Sequence, residues 1–111
     1  MASLLSAKNQ LFTCGFEVFG EVQGVQMRKA TRSLALSNGV RGWVMNTDRG
    51  TVQGELEGTL PSVNELKFWL LCFGSENAIV DRAEFTPTLE IPVHSFDGFT
   101  IRYHPDQRGR H

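Results

Sequence analysis

From Phe12 onward the chain alternates. Phe12, Cys14, Phe16 and Val18 are apolar, and the residues between them are mostly small or polar. A two-residue period puts one side of a strand against a core and the other towards solvent. A short segment with two glycines follows, and then 27–38 changes character: good helix formers, no proline, and Ala30 and Leu34 one turn apart on a shared face. Leu36 lies off that face. Asn38-Gly39 reads as a helix stop. Residues 40–46 read as a second strand, Thr47-Asp48-Arg49-Gly50 as a turn, and 51–57 as a third strand. In this strand Val52 and Leu56 share one side, and Gln53, Glu55 and Glu57 the other.

The second half repeats the alternation of types. Pro61 and then Ser62-Val63-Asn64-Glu65 fit a capping box, and Leu66, Trp69, Leu70 and Phe73 form an apolar stripe at helical spacing, closed by Gly74. Residues 79–85 read as a fourth strand, 87–98 as a loop and 99–103 as a short last strand. The predicted order is β-α-β-β-α-β plus one strand, an α+β split βαβ (ferredoxin-like) sandwich with two helices on one face of an antiparallel sheet. The expected organisation is a loose arm over 1–11, one domain over 12–103, and a polar tail over 104–111. The fold by itself hosts many unrelated functions.

With 111 residues there is room for one modest core. A net charge of −1 provides no general basic field, so nucleic acid is not an expected partner, and any anion must be bound locally. An RNA-binding sheet would need exposed aromatics and a basic face, whereas the third strand offers Gln53, Glu55 and Glu57. Cys14 and Cys72 stand alone in apolar surroundings and read as reduced, buried small hydrophobes, with a disulfide between them left open. The start has no basic n-region or sustained apolar run, and no stretch is long enough to span a bilayer, so a cytoplasmic monomer without membrane contact is expected.

The segment Gly20-Glu21-Val22-Gln23-Gly24-Val25-Gln26-Met27-Arg28 carries the chemistry. Successive amides in a glycine-bracketed turn converge on oxyanions, and a helix start adds free N–H groups with partial positive charge. Arg28, just inside that helix, adds a planar fork of donors suited to phosphate. Gly42-Trp43-Val44-Met45-Asn46 ends in an amide. Taken singly, each feature has a plainer reading: turn glycines, a solvated arginine, and an asparagine that starts a turn. His94, His104 and His111 have the spacing of neither a zinc site nor a catalytic base. Asp81 and Glu84, at odd separation in a strand, point to opposite faces. Trp43 and Trp69 read as packing residues.

Both signature segments together, followed by Gly50-Thr51-Val52 and Gly58, resemble those of the small acylphosphatases over nearly the whole chain. The resemblance implies hydrolysis of the carboxyl–phosphate bond of acyl phosphates by direct attack of water, without metal, cofactor or phosphoenzyme. Carried over, Arg28 binds the phosphate with the cradle of Glu21, Val22, Gln23, Gly24, Val25, Gln26 and Met27, and Asn46 orients the water. Inorganic phosphate and sulfate are then competing anions. Two positions differ from the commoner family pattern: Glu21 replaces a basic residue and Met27 a phenylalanine. Glu21 keeps open an alternative, a non-catalytic anion-binding or regulatory module of the same fold.

Overall fold

A computed structural model describes residues 10–103, so the arm and the tail fall almost wholly outside it. The elements are β1 (Leu11–Glu21), α1 (Met27–Ser37), β2 (Arg41–Asn46), β3 (Val52–Gly58), α2 (Leu60–Cys72), β4 (Ile79–Phe85), β5 (Leu89–Ile91) and β6 (Phe99–Arg102). The sheet order is β4-β1-β3-β2-β6, with β5 paired to the start of β1. All pairings are antiparallel except β2 with β6, which is parallel. The α+β sandwich expected from the alternation is present.

Register explains the core. Val18 lies opposite Val52, Phe16 opposite Gly54, and Cys14 opposite Leu56. Val44 in turn lies opposite Gly54. These residues share one face of the sheet, and they pack with Met27 and Ala35 of α1 and Val63, Leu66 and Leu70 of α2 into a single buried cluster. Burying such side chains is worth roughly 1.5–3 kcal/mol each, and this fixes which face of each strand turns inward.

Several local expectations need correction. The inward stripe of α1 is Met27, Thr31 and Ala35, with Ala30 and Leu34 only half-buried on its flank. Thr31 is tolerated there because its hydroxyl donates to the Met27 carbonyl at 2.8 Å. Helix α2 starts at Leu60, two residues before the expected capping box. Thr59 is the N-cap, and Pro61 sits inside the first turn, where its missing N–H costs nothing. The inward side of α2 is Val63, Leu66 and Leu70; Trp69 is half-buried. Phe73 lies beyond the last helical residue, 60% exposed, edge-on to Phe68. Gly74 does terminate the helix: its N–H bonds the Trp69 carbonyl at 2.9 Å, with φ at +65°.

Strand β5 forms inside the expected 87–98 loop. At three residues, close to Pro87 and Pro92, it is too short to show a period. Cys14 is buried, which pushes its thiol pKa up, but Cys72 is exposed, and both are free. Glu57 is on the side of β3 shared with Gln53 and Glu55, as expected, yet it is only 1% exposed. Its carboxylate accepts from the Ser95 N–H at 2.9 Å and the Phe96 N–H at 3.1 Å, and lies 2.9 Å from His94 Nδ1. Burial opposes the charge of Glu57, and these donors more than offset it, holding the carboxyl below its ordinary value.

Candidate active site

The site forms where β1, β2 and β6 meet the start of α1. Gly20 makes the exit from β1 possible: the strand register against β4 shifts there, φ is +134°, and a Cβ would lie 2.1 Å from the Ile79 carbonyl oxygen. Val22 is fully buried and pins the loop to the core. Gly24 adopts φ +74° with nothing near its missing Cβ, so conformation rather than space requires glycine there. Gln26 then enters the left-handed region at φ 59° and ψ 27°, an uncommon state for a residue with a side chain. It serves as the N-cap of α1 without making a side-chain cap bond, and no acidic residue occupies the first turn. The first intrahelical acceptor is the Gln26 carbonyl, taken by the Ala30 N–H at 3.0 Å. The helix-start amides before Ala30 have no acceptor within the helix and are available to an anion.

Alternation along two strands delivers the remaining groups. On β2, Gly42, Val44 and Asn46 share the helix-facing side, so Asn46 is the last inward residue of the strand and is 7% exposed. On β6, Phe99 lies opposite Gly42 and Ile101 opposite Val44, and Tyr103, just past the last pair Met45–Arg102, lines the same pocket as Asn46. A pocket of about 280 Å³ results, lined by Val22, Gly24, Gln26, Met27, Arg28, Lys29, Asn46, Ile101 and Tyr103.

Arg28 is the unusual member. Its guanidinium carbon lies 5.1 Å from the centre of the Tyr103 ring. Its Nη1 is buried and has no hydrogen-bond partner among the described residues. A buried donor on a permanent cation is costly unless something accepts from it, so such a group at a pocket wall is a candidate anion ligand.

Not every residue of the expected cradle lines this pocket. Glu21 is exposed at the end of β1 and is not part of the lining, because the strand's alternation carries it outward while Val22 turns in. Gln23 acts sideways: its Nε2 donates to the carbonyls of Thr47 and Thr51, both at 2.8 Å. The Val25 carbonyl accepts from the Ser75 hydroxyl at 2.7 Å, and the Ser75 N–H points to Met27 Sδ at 3.3 Å. Gln23 and Val25 therefore hold the loop in place rather than face the pocket. Lys29, Ile101 and Tyr103 line it without having been singled out from sequence. The alternation of Phe99, Ile101 and Tyr103 was the available signal, once β6 was known to run beside β2.

The turn after Asn46 is held by a hydroxyl chain. Thr47 Oγ1 lies 2.6 Å from Thr51 Oγ1, and the Thr51 hydroxyl donates to Glu17 Oε2 at 2.6 Å, which also pairs with Arg49 at 2.8 Å. The Thr51 hydrogen bond, aided by Arg49, holds the Glu17 carboxyl below its ordinary value. Because Gln23 is bonded to the same turn, the loop and Asn46 are fixed relative to each other.

Comparison with known proteins shows the family. The acylphosphatase family model matches residues 14–101. Acylphosphatase-2 of Gallus gallus is 43% identical over 103 residues, 93% of this chain and all of that one. Acylphosphatase-2 of Homo sapiens is 40% identical over 99 residues, 89% of this chain and all of that protein. Among solved structures, an acylphosphatase from Coxiella burnetii superposes with a TM-score of 0.75 at 30% identity, over 84% of this chain and 94% of its own. The chain therefore belongs to the acylphosphatase family, hydrolases that cleave the carboxyl–phosphate bond of acyl phosphates.

Proposed function

We propose that the Arg28–Asn46 pocket is where this enzyme hydrolyses its acyl phosphate, with Arg28 binding the phosphate and Asn46 orienting the attacking water. The observation that carries this assignment is the buried Nη1 of Arg28, without a partner among the described residues, in the same pocket as Asn46. A phosphoryl oxygen supplies the acceptor that Arg28 lacks, and the uncapped start of α1 supports the same charge.

In the reaction, water attacks phosphorus. The bond from phosphorus to the carboxyl oxygen breaks, and the carboxylate leaves with the electron pair. The proton released by the water passes to a non-bridging phosphoryl oxygen. The leaving group is already a good one, so positioning and charge stabilisation supply most of the catalysis. Asn46 is neutral; its carbonyl accepts from the water and fixes the line of attack. No metal or phosphoenzyme enters this scheme, and the positive charge comes from Arg28, Lys29 and the helix start. Inorganic phosphate and sulfate compete for the same place. Glu21, exposed and outside the lining, does not oppose the anion from within the pocket. A monomer acting in the cytoplasm fits this reading, and among the described residues no helix is long and apolar enough to cross a membrane.

Paired substitutions test the roles. Asn46→Ala keeps inhibition by inorganic phosphate and loses turnover of benzoyl phosphate by roughly 10²–10³-fold, the scale for one positioned polar group. Arg28→Ala loses both. Normal turnover in a folded Asn46→Ala protein would show that another group directs the water.

A further inference from the structure

The pocket has two chemically different walls. One is the anion wall of Arg28, Asn46 and the start of α1. The other is apolar: Val22 and Met27, both buried, Ile101, half-buried, and the exposed Tyr103 just past the end of β6. Tyr103 belongs to both. Its ring lies over the Arg28 guanidinium at 5.1 Å, yet the residue remains 51% exposed. A cation–π contact engages the ring face and gives no N–H donor an acceptor, so it does not compete with phosphate for the hydrogen bonds of Arg28. The exposed part of the ring stands beside the anion position, at the boundary between pocket and solvent.

We propose that Tyr103 is a specificity-determining residue: its ring, held by the Arg28 guanidinium and continued by Ile101, receives the acyl group and selects aromatic and bulky apolar acyl phosphates over small ones. This rests on Arg28 as the phosphate ligand. With the phosphate at Arg28 and the in-line position opposite the leaving oxygen occupied by water near Asn46, the acyl group must extend away from the anion wall. Of the apolar lining, Val22 and Met27 are buried and Ile101 is half-buried, which leaves Tyr103 as the exposed apolar surface. A flat acyl group stacks on or against the ring edge. An acetyl group is too small to cover the ring and gains little. Because the phosphate is gripped elsewhere, the discrimination acts on the acyl group alone.

The test compares benzoyl phosphate with acetyl phosphate on the full chain, reading kcat/KM for each and the inhibition constant of inorganic phosphate. Tyr103→Ala is expected to lower the benzoyl-to-acetyl ratio of kcat/KM about tenfold, the scale of one good aromatic contact. Its phosphate inhibition constant should stay within about threefold of the parent's. Tyr103→Phe should restore the ratio to within about twofold, because the ring and not the hydroxyl is the contact surface. An unchanged ratio in folded Tyr103→Ala overturns the proposal, whether the two substrates lose activity equally or not at all. Equal loss would make the ring a support for Arg28 only. Arg28→Ala is measured in parallel: unchanged phosphate inhibition there would overturn the phosphate assignment itself, a result distinct from any outcome at Tyr103.

Discussion

The two ends of the β2–β3 hairpin treat charge in opposite ways. At one end Glu57, opposite Arg41, is a buried carboxylate whose acceptors are filled by the amides of Ser95 and Phe96 and by His94. At the other end Asn46, opposite Val52, shares a pocket with Arg28, whose buried Nη1 has no partner among the described residues. Both ends combine backbone N–H groups with an ionised side chain. In the first the chain supplies its own anion, and the result is a fastening for the 94–96 segment. In the second it supplies only the cationic half. A buried charge that is fully partnered serves stability, whereas a buried donor left without a partner is a cost, which in the proposed function the substrate phosphate relieves.

The strongest way to break this contrast is to truncate each charge and ask what is lost. Arg28→Ala should abolish nearly all turnover, at least 10²-fold, while leaving the unfolding free energy from urea titration within about 1 kcal/mol of the parent, because the removed Nη1 donor has no partner among the described residues. A large loss of stability would mean that Arg28 serves the fold. Glu57→Ala should do the reverse. It strands the Ser95 and Phe96 amides and should cost roughly 2–4 kcal/mol in urea unfolding, with phosphate inhibition unchanged. Unaltered stability would show that the 94–96 segment does not depend on this carboxylate.

Acid should sharpen the same contrast. Glu57 and Glu17 both have carboxyls held below the ordinary value of 4.5. Their contribution is complete above that value and is lost as pH falls through the lower folded values, since the unfolded chain takes up protons first. Stability measured by urea between pH 6 and 3 should therefore drop steeply below about 4.5 in the parent and less steeply in Glu57→Gln. Parallel curves would locate the acid sensitivity elsewhere.

Two smaller effects concern the open end. Hydrolysis should survive EDTA and change less than about twofold on adding Mg²⁺, because Arg28 and the helix start already carry the positive charge. Activity lost to the chelator and recovered with one metal would replace the proposed mechanism. Glu21→Arg should lower KM for benzoyl phosphate only about two- to threefold at low salt, with the gain vanishing at high salt, as befits an exposed charge outside the lining. An effect that persists at high salt would place the side chain in contact with the anion.

Much of the fold was legible because its signals are local. The 2-residue period of Phe12, Cys14, Phe16 and Val18 and the long apolar helix around Leu66 and Leu70 each follow from side chains a few positions apart. What failed was short or depended on a distant neighbour. Strand β5 has three residues and exists because Leu11–Thr13 offers it a partner. Glu57 looks like Glu55 in the sequence. It differs because the 94–96 segment closes over it. Phe73 satisfies the helical spacing and is exposed only because the helix ends one residue earlier.

The candidate site divides in the same way. Sequence by itself determined the sandwich and the glycine-bracketed turn leading into a helix, since residue type, order and spacing carry those, and the family resemblance of its two motifs named Arg28 and Asn46 as candidate chemistry. Tertiary structure alone decided which parts of the loop face the pocket. It turned Glu21 outward and Val22 inward, and it spent the Gln23 side chain on the Thr47–Thr51 turn. It also brought Ile101 and Tyr103 beside Asn46, because β6 runs parallel to β2 and the strand period then sets their side. A parallel pairing between segments more than fifty residues apart leaves no local pattern in the chain, so the wall it builds becomes visible only when the sheet is assembled.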